Sequence, residues 1–127
     1  MSESKTYSCV IIEDDPVFAK LLAKVVNRIP DLKLVGSYSD TVSSAMNVLR
    51  VKPEIIFLDI NIHGLEGPEM LHLIDYQPET IVISSHPPDI MNDYNIEYTA
   101  FIQKPLKSSE QLHEAIEKCI GNIEKSA

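Results

Sequence analysis

Residues 54–59 read Glu54-Ile55-Ile56-Phe57-Leu58-Asp59, an apolar run delivered directly to a carboxylate. A strand with one wet face alternates apolar and polar residues. An unbroken apolar run fits a strand covered on both faces, as in a parallel sheet with helices above and below. The same pattern occurs upstream, where Val10-Ile11-Ile12 runs into Glu13-Asp14-Asp15, and downstream, where Thr99 to Gln103 ends in Lys104-Pro105. In an open parallel sheet the strand carboxyl ends share one edge, and ligands bind in the crevice there. Three acids and a cation on one edge suggest a divalent metal and a phosphoryl group.

Working outward, strand and helix signals alternate. Tyr7 to Ile12 reads as the first strand. Asp15-Pro16 supplies an N-cap and a proline at the first helical position. Phe18, Leu21, Leu22, Val25 and Ile29 follow at helical spacing, and Pro30-Asp31 stops that helix. Lys33 to Tyr38 is the second strand. Asp40 caps a second helix with Val42, Ala45, Met46 and Leu49 expected inward, and Lys52-Pro53 ends it. After the third strand, Pro68 opens a third helix with Met70, Leu71 and Ile74. Thr80 to Ile83 is the fourth strand. Pro87-Pro88 opens a short, weakly amphipathic fourth helix. The fifth strand precedes a last helix that begins at capping-box spacing, Ser108 and Gln111, and carries Leu112, Ala115, Ile116, Cys119 and Ile123. This predicts a (βα)5 chain of the α/β class: a doubly wound, flavodoxin-like parallel sheet with strand order 2-1-3-4-5. One domain over residues 1–127 is expected, with its core from about residue 7 to 123.

Composition narrows the function classes. A chain of 127 residues is the size of one domain that can bury a core. The formal net charge of −8 disfavours direct nucleic-acid binding, because phosphate contacts need Lys and Arg. No apolar stretch is long enough to cross a membrane, and Met1 to Lys5 has no apolar core of a secretory signal. Cys9 and Cys119 fall on apolar positions and read as reduced core thiols of a cytoplasmic protein.

The site residues carry ordinary alternatives beside the chemical reading. Acids near a helix N-terminus are common, but Asp15 alone can serve as the cap, so Glu13 and Asp14 exceed what a cap requires. Magnesium takes hard oxygen ligands and keeps several waters. Asp14 bound directly, Glu13 through water, and Asp59 would fit it. Asp59 alone is a turn aspartate; a carboxylate also acts as a nucleophile toward phosphorus. Ser84 is a strand-end serine that offers a hydroxyl. Lys104 is a strand-end lysine fixed by the proline after it.

Taken together, Glu13-Asp14, Asp59 in FLDINIHGLEG, Ser84 in IVISSH and Lys104-Pro105 resemble the receiver domain of two-component response regulators. The resemblance runs from about Tyr7 to Ile123. It implies that Asp59 is the phosphoacceptor and Asp14 the direct magnesium ligand, with Glu13 its acidic neighbour. It also implies that the backbone carbonyl of Asn61 completes the metal site. By the same resemblance Ser84 is the switch hydroxyl, Phe101 the switch aromatic, and Lys104 the lysine that contacts the phosphoryl group. Implied partners are a sensor histidine kinase or phosphotransfer protein. The implied output is a change of the surface formed by the fourth helix, fifth strand and fifth helix, through which homodimers are common in the family. The short third helix and SSHPPD are similar to receivers attached to LytTR-type DNA-binding domains.

His63 stands where such domains often carry proline, which reshapes the loop after Asp59. His86 lies two residues after Ser84 and is expected to tune access of the hydrolytic water. As a pair they offer irregular metal-ligand spacing and read first as exposed loop residues. Competing readings are a haloacid-dehalogenase-type phosphatase, which would want an acid where Asn61 stands, and an interaction module with a relic site. A flavodoxin-like cofactor binder is a third, although no glycine-rich phosphate loop follows the first strand. The preferred reading is a signalling phosphoacceptor and not an enzyme of steady turnover.

Overall fold

The computed structural model describes residues 5–60 and 67–126. In chain order the elements are β1 (Tyr7–Ile12), α1 (Pro16–Asn27), β2 (Leu32–Tyr38), α2 (Thr41–Val51), β3 (Ile55–Asp59) and α3 (Gly67–Leu71), followed by β4 (Glu79–Ser84), a 3-10 segment (Pro88–Asp93), β5 (Ala100–Gln103) and α4 (Ser109–Ser126). The strands are parallel, in the order β2-β1-β3-β4-β5. That is the flavodoxin-like doubly wound arrangement that the alternation predicts.

The apolar runs are explained by which face each residue meets. Side chains alternate across a strand. Cys9, Ile11, Ile55 and Phe57 therefore join Phe18, Leu22 and Val26 of α1 and Leu112, Ile116 and Cys119 of α4 on one face. Val10, Ile12, Ile56 and Leu58 point the other way, into a cluster with Ala45 and Val48 of α2 and Met70 of α3. Ile60, Val82 and Met91 form a third cluster, over the side of β4 that faces the 3-10 segment. Each fully buried Val, Leu, Ile or Phe side chain contributes about 1.5–3 kcal/mol. With both faces committed, β1 and β3 have no wet face left to alternate.

Capping chemistry fixes the starts of the first two helices. The Asp15 side chain accepts from the Val17 N–H at 3.0 Å, and Pro16 occupies the first helical turn. Asp40 accepts from the Ser43 N–H at 2.8 Å. At the end of α2, Lys52 turns the chain in the left-handed region at φ 47°, and Pro53 blocks continuation. On β2, Gly36 leaves the space beside it to the ring of Tyr38, two residues on along the same strand.

Several local expectations are corrected. On α2 the buried positions are Ser44, Ala45 and Val48, whereas Val42, Met46 and Leu49 are 60%, 69% and 38% exposed. The apolar stripe of this helix is wider than its contact, and small Ser44 and Ala45 occupy the side that approaches the sheet. On α1, Val26 is buried and Leu21 is 42% exposed. The segment after Pro87-Pro88 is a 3-10 helix, with Ile90 N–H bonding to the Pro87 carbonyl and Tyr94 N–H to the Met91 carbonyl, each at 3.1 Å. Met91 is its buried residue, with Ile90 partly buried beside it, in a segment too short to repeat an α-helical face. Before α4, the Gln111 side chain accepts from the Lys107 N–H at 3.4 Å, one residue short of the expected capping-box partner.

Candidate functional site: an acidic cluster bridged by a lysine

The site is assembled where β1, β3 and β5 end. The Glu13 N–H bonds to the Tyr38 carbonyl at 2.9 Å, which continues the β1–β2 ladder one residue past the strand. That contact sets Glu13 at the sheet edge, where it is buried. Its Oε2 accepts from the Asp15 N–H at 3.0 Å, so the carboxylate is folded back toward the start of α1. Asp14 beside it is half-buried. Asp59 is the last residue of β3, in register with Ile83 of β4, and is also buried. One carboxylate oxygen from each of Glu13, Asp14 and Asp59 lies within 4.8 Å of the other two.

Lys104 reaches this cluster from the end of β5. Its backbone N–H bonds to the Ser84 carbonyl at 2.7 Å, and Pro105 follows through a cis peptide. The ammonium Nζ lies 2.9 Å from Glu13 Oε1 and 3.6 Å from Asp59 Oδ2. It also sits over the Phe18 ring, 4.7 Å from the centroid. Burial pulls the Lys104 pKa down, but the bond to Glu13 and the charges of Asp59, Glu13 and Asp15 more than offset it, so the pKa is raised above the ordinary lysine value. Lys104 is therefore a cation at neutral pH.

The donor set suits a hard divalent cation. Three clustered carboxylates supply oxygen ligands only, which magnesium prefers, and leave coordination positions for water. His86 is exposed and outside that cluster. Its N–H donates to Ser84 Oγ at 2.9 Å. Ser84 itself is fully buried at the end of β4, one residue beyond the register partner of Asp59. Phe101 is half-buried and packs against the cluster of Ile60, Val82 and Met91. Asn61 and His63 lie outside the described residues.

Glu13, Asp14, Asp59 and Lys104, which sequence reading places at separate strand ends, thus meet at one point. Ser84 borders them through the β4–β5 ladder. Phe18 was legible only as a core residue of α1. An apolar periodicity does not report that one ring face turns toward a cation from another strand.

The chain matches the response regulator receiver domain family over residues 9–117. It belongs to that family. A signal receiver domain of a modulated diguanylate cyclase from Desulfovibrio desulfuricans superposes with a TM-score of 0.85 at 19% identity, covering 97% of this chain and 100% of that one. The N-terminal domain of an uncharacterized protein from Wolinella succinogenes gives 0.77 at 26% identity, covering 95% and 98%. A protein-glutamate methylesterase/protein-glutamine glutaminase from Vibrio vulnificus is 29% identical over 83 residues, 65% of this chain and 24% of that protein. The chain spans about a quarter to a half of the length of the first curated relatives it matches. Among the described residues no helix is long and apolar enough to cross a membrane.

Proposed function

We propose that this receiver accepts a phosphoryl group on Asp59 from the phosphohistidine of a sensor histidine kinase or phosphotransfer protein. The observation that carries the reading is the Lys104 ammonium between Glu13 Oε1 at 2.9 Å and Asp59 Oδ2 at 3.6 Å, beside three carboxylates within 4.8 Å of one another. In the reaction a carboxylate oxygen of Asp59 attacks phosphorus, the bond from phosphorus to the imidazole nitrogen breaks, and the imidazole leaves. Lys104 moves its charge from Glu13 to the transferred phosphoryl oxygens. Asp14 and Asp59 would hold magnesium directly, with Glu13 through water and the Asn61 carbonyl completing the site. When bound, magnesium neutralises charge that develops on the phosphoryl oxygens, the main demand of such a transfer. Water later attacks the acyl phosphate, releasing inorganic phosphate and restoring the carboxylate.

The output is a population shift driven by differential contacts of the two states. Ser84 gives its hydroxyl to the phosphoryl oxygen, and Phe101 rotates into the space released. The 3-10 segment, β5 and α4 then present a changed surface to a partner or a second copy. That Met91 is the one buried side chain of the 3-10 segment, with Ile90 only partly buried beside it, supports this assignment, since a segment with a small buried surface opens at low cost. His86, bonded through its backbone to Ser84, modulates the approach of water. The chain acts as a phosphoacceptor that assists its own modification rather than as an enzyme of steady turnover.

The test is incubation with magnesium and acetyl phosphate followed by intact mass. A single phosphoryl adduct is expected, absent in Asp59→Ala and not formed when magnesium is chelated beforehand. Size exclusion of the same sample then reads dimer formation. Sustained release of phosphate from esters, with no adduct on Asp59, would favour a phosphatase instead.

A further inference from the structure

Lys104 has a long route to its partners. In the sheet β5 and β1 are separated by β4 and β3, a span of three strand spacings, about 14 Å. A lysine side chain is a flexible four-carbon stem ending in a compact charge. Two carboxylates attract that charge but accept it from a range of directions. A third contact limits the range: the Phe18 ring, with its centroid 4.7 Å from Nζ.

Phe18 is itself fixed. It lies in the first turn of α1, three residues after the Asp15 cap and two after Pro16. It is buried in the cluster that contains Ile11, Leu22 and Phe57. One side of the ring is thus committed to the core while a face meets the ammonium. The face of an aromatic ring is its negative pole, so it attracts a cation without using any carboxylate oxygen. A leucine would fill similar space but offer no such pole.

We infer that Phe18 is a positioning residue for Lys104, holding the ammonium in the gap between Glu13 and Asp59 where an incoming phosphoryl group needs a cation. The inference rests on the phosphoacceptor reading above. It adds a residue that the acidic cluster and strand-end motifs leave unassigned. Glu13 and Asp59 set how strongly Lys104 is held; Phe18 sets from which side.

The experiment compares Phe18→Leu and Phe18→Tyr with the unsubstituted protein. Thermal unfolding first shows that both variants fold. Magnesium-free protein is then studied by carbon-resolved proton NMR, with Lys104→Met used to assign the Lys104 ε-methylene signal. The ring should shift that signal upfield in the parent and in Phe18→Tyr, and the shift should vanish in Phe18→Leu. The initial rate of adduct formation with acetyl phosphate and magnesium should fall roughly three- to thirty-fold in Phe18→Leu. It should stay near the parent rate in Phe18→Tyr. An unshifted Lys104 signal in the parent, or Phe18→Leu reacting as fast as the parent, overturns the positioning role alone. If the parent forms no adduct, the phosphoacceptor reading fails and this role falls with it, whatever the NMR shows.

Discussion

Replacing Asp14 by asparagine should stabilise the magnesium-free protein and remove its response to magnesium. The three carboxylate oxygens lie within 4.8 Å of one another. At that distance each like-charge pair costs about 0.9 kcal/mol at the dielectric constant of water and about 3.5 kcal/mol at an effective value of 20. Asp14 takes part in two such pairs, with Glu13 and with Asp59. It is half-buried, so the lower end of the range applies. Asparagine keeps an acceptor oxygen, and the bonds of Lys104 to Glu13 and Asp59 are untouched. Attraction to the nearby Lys104 ammonium offsets part of this, so the net gain should be about 1–2 kcal/mol. For a 127-residue chain the unfolding entropy is about 0.27 kcal/mol/K, so Tm rises by about 4–7 °C. In the parent, magnesium at ten times its dissociation constant should add about 1.4 kcal/mol, a further 5 °C or so. Circular dichroism melts with chelator and with magnesium read both effects. An Asp14→Asn protein no more stable than the parent in chelator, or one that magnesium stabilises equally, would refute this electrostatic account.

Lys104→Met leaves the Glu13 carboxylate buried without its cation, and should cost about 2–4 kcal/mol in urea unfolding, discounted because the Lys104 side chain is 19% exposed. Because the folded-state pKa of Lys104 is raised, its pairing is fully present below the ordinary lysine value and is lost as pH climbs through the folded pKa. The stability gap between parent and Lys104→Met should therefore be level from pH 7 to 9 and narrow only above about 10.5. Val48→Ala, on the buried side of α2, should cost about 1.5–3 kcal/mol, whereas Met46→Ala on the exposed side should stay within about 0.5 kcal/mol; chemical denaturation separates the two. Burial pushes the thiols of Cys9 and Cys119 up to about 12, so neither should react with a thiol reagent at pH 7 until the chain is unfolded.

The parallel sheet was readable because Cys9 to Ile12 in β1 and Ile55 to Leu58 in β3 are unbroken apolar runs, a pattern that two covered faces explain. The carboxylates and Lys104 were readable because each stands immediately after such a run, and a strand end has one place to be. Helix faces were harder. On α2 the apolar stripe spans Val42 to Leu49, and which side meets the sheet depends on the small residues Ser44 and Ala45 that allow close approach. The fourth helical segment was legible as short and proline-led but not as 3-10, because proline pairs start α-helical and 3-10 turns alike. The Lys104–Phe18 contact joins β5 to α1, and no local pattern encodes a pairing between elements so far apart in the chain.

The backbone bond from the Lys104 N–H to the Ser84 carbonyl, 2.7 Å long, has a design consequence. It means that the interval between the Ser84 and Lys104 main chains is inherited from strand pairing rather than tuned by the loops that follow. Those loops are then free to diverge in length and chemistry while the interval stays constant. An engineer who wished to retarget this receiver could rewrite residues after His86 and after Pro105 as an interchangeable recognition layer. The main-chain spacing of the two strand ends would be left as a fixed standard beneath it.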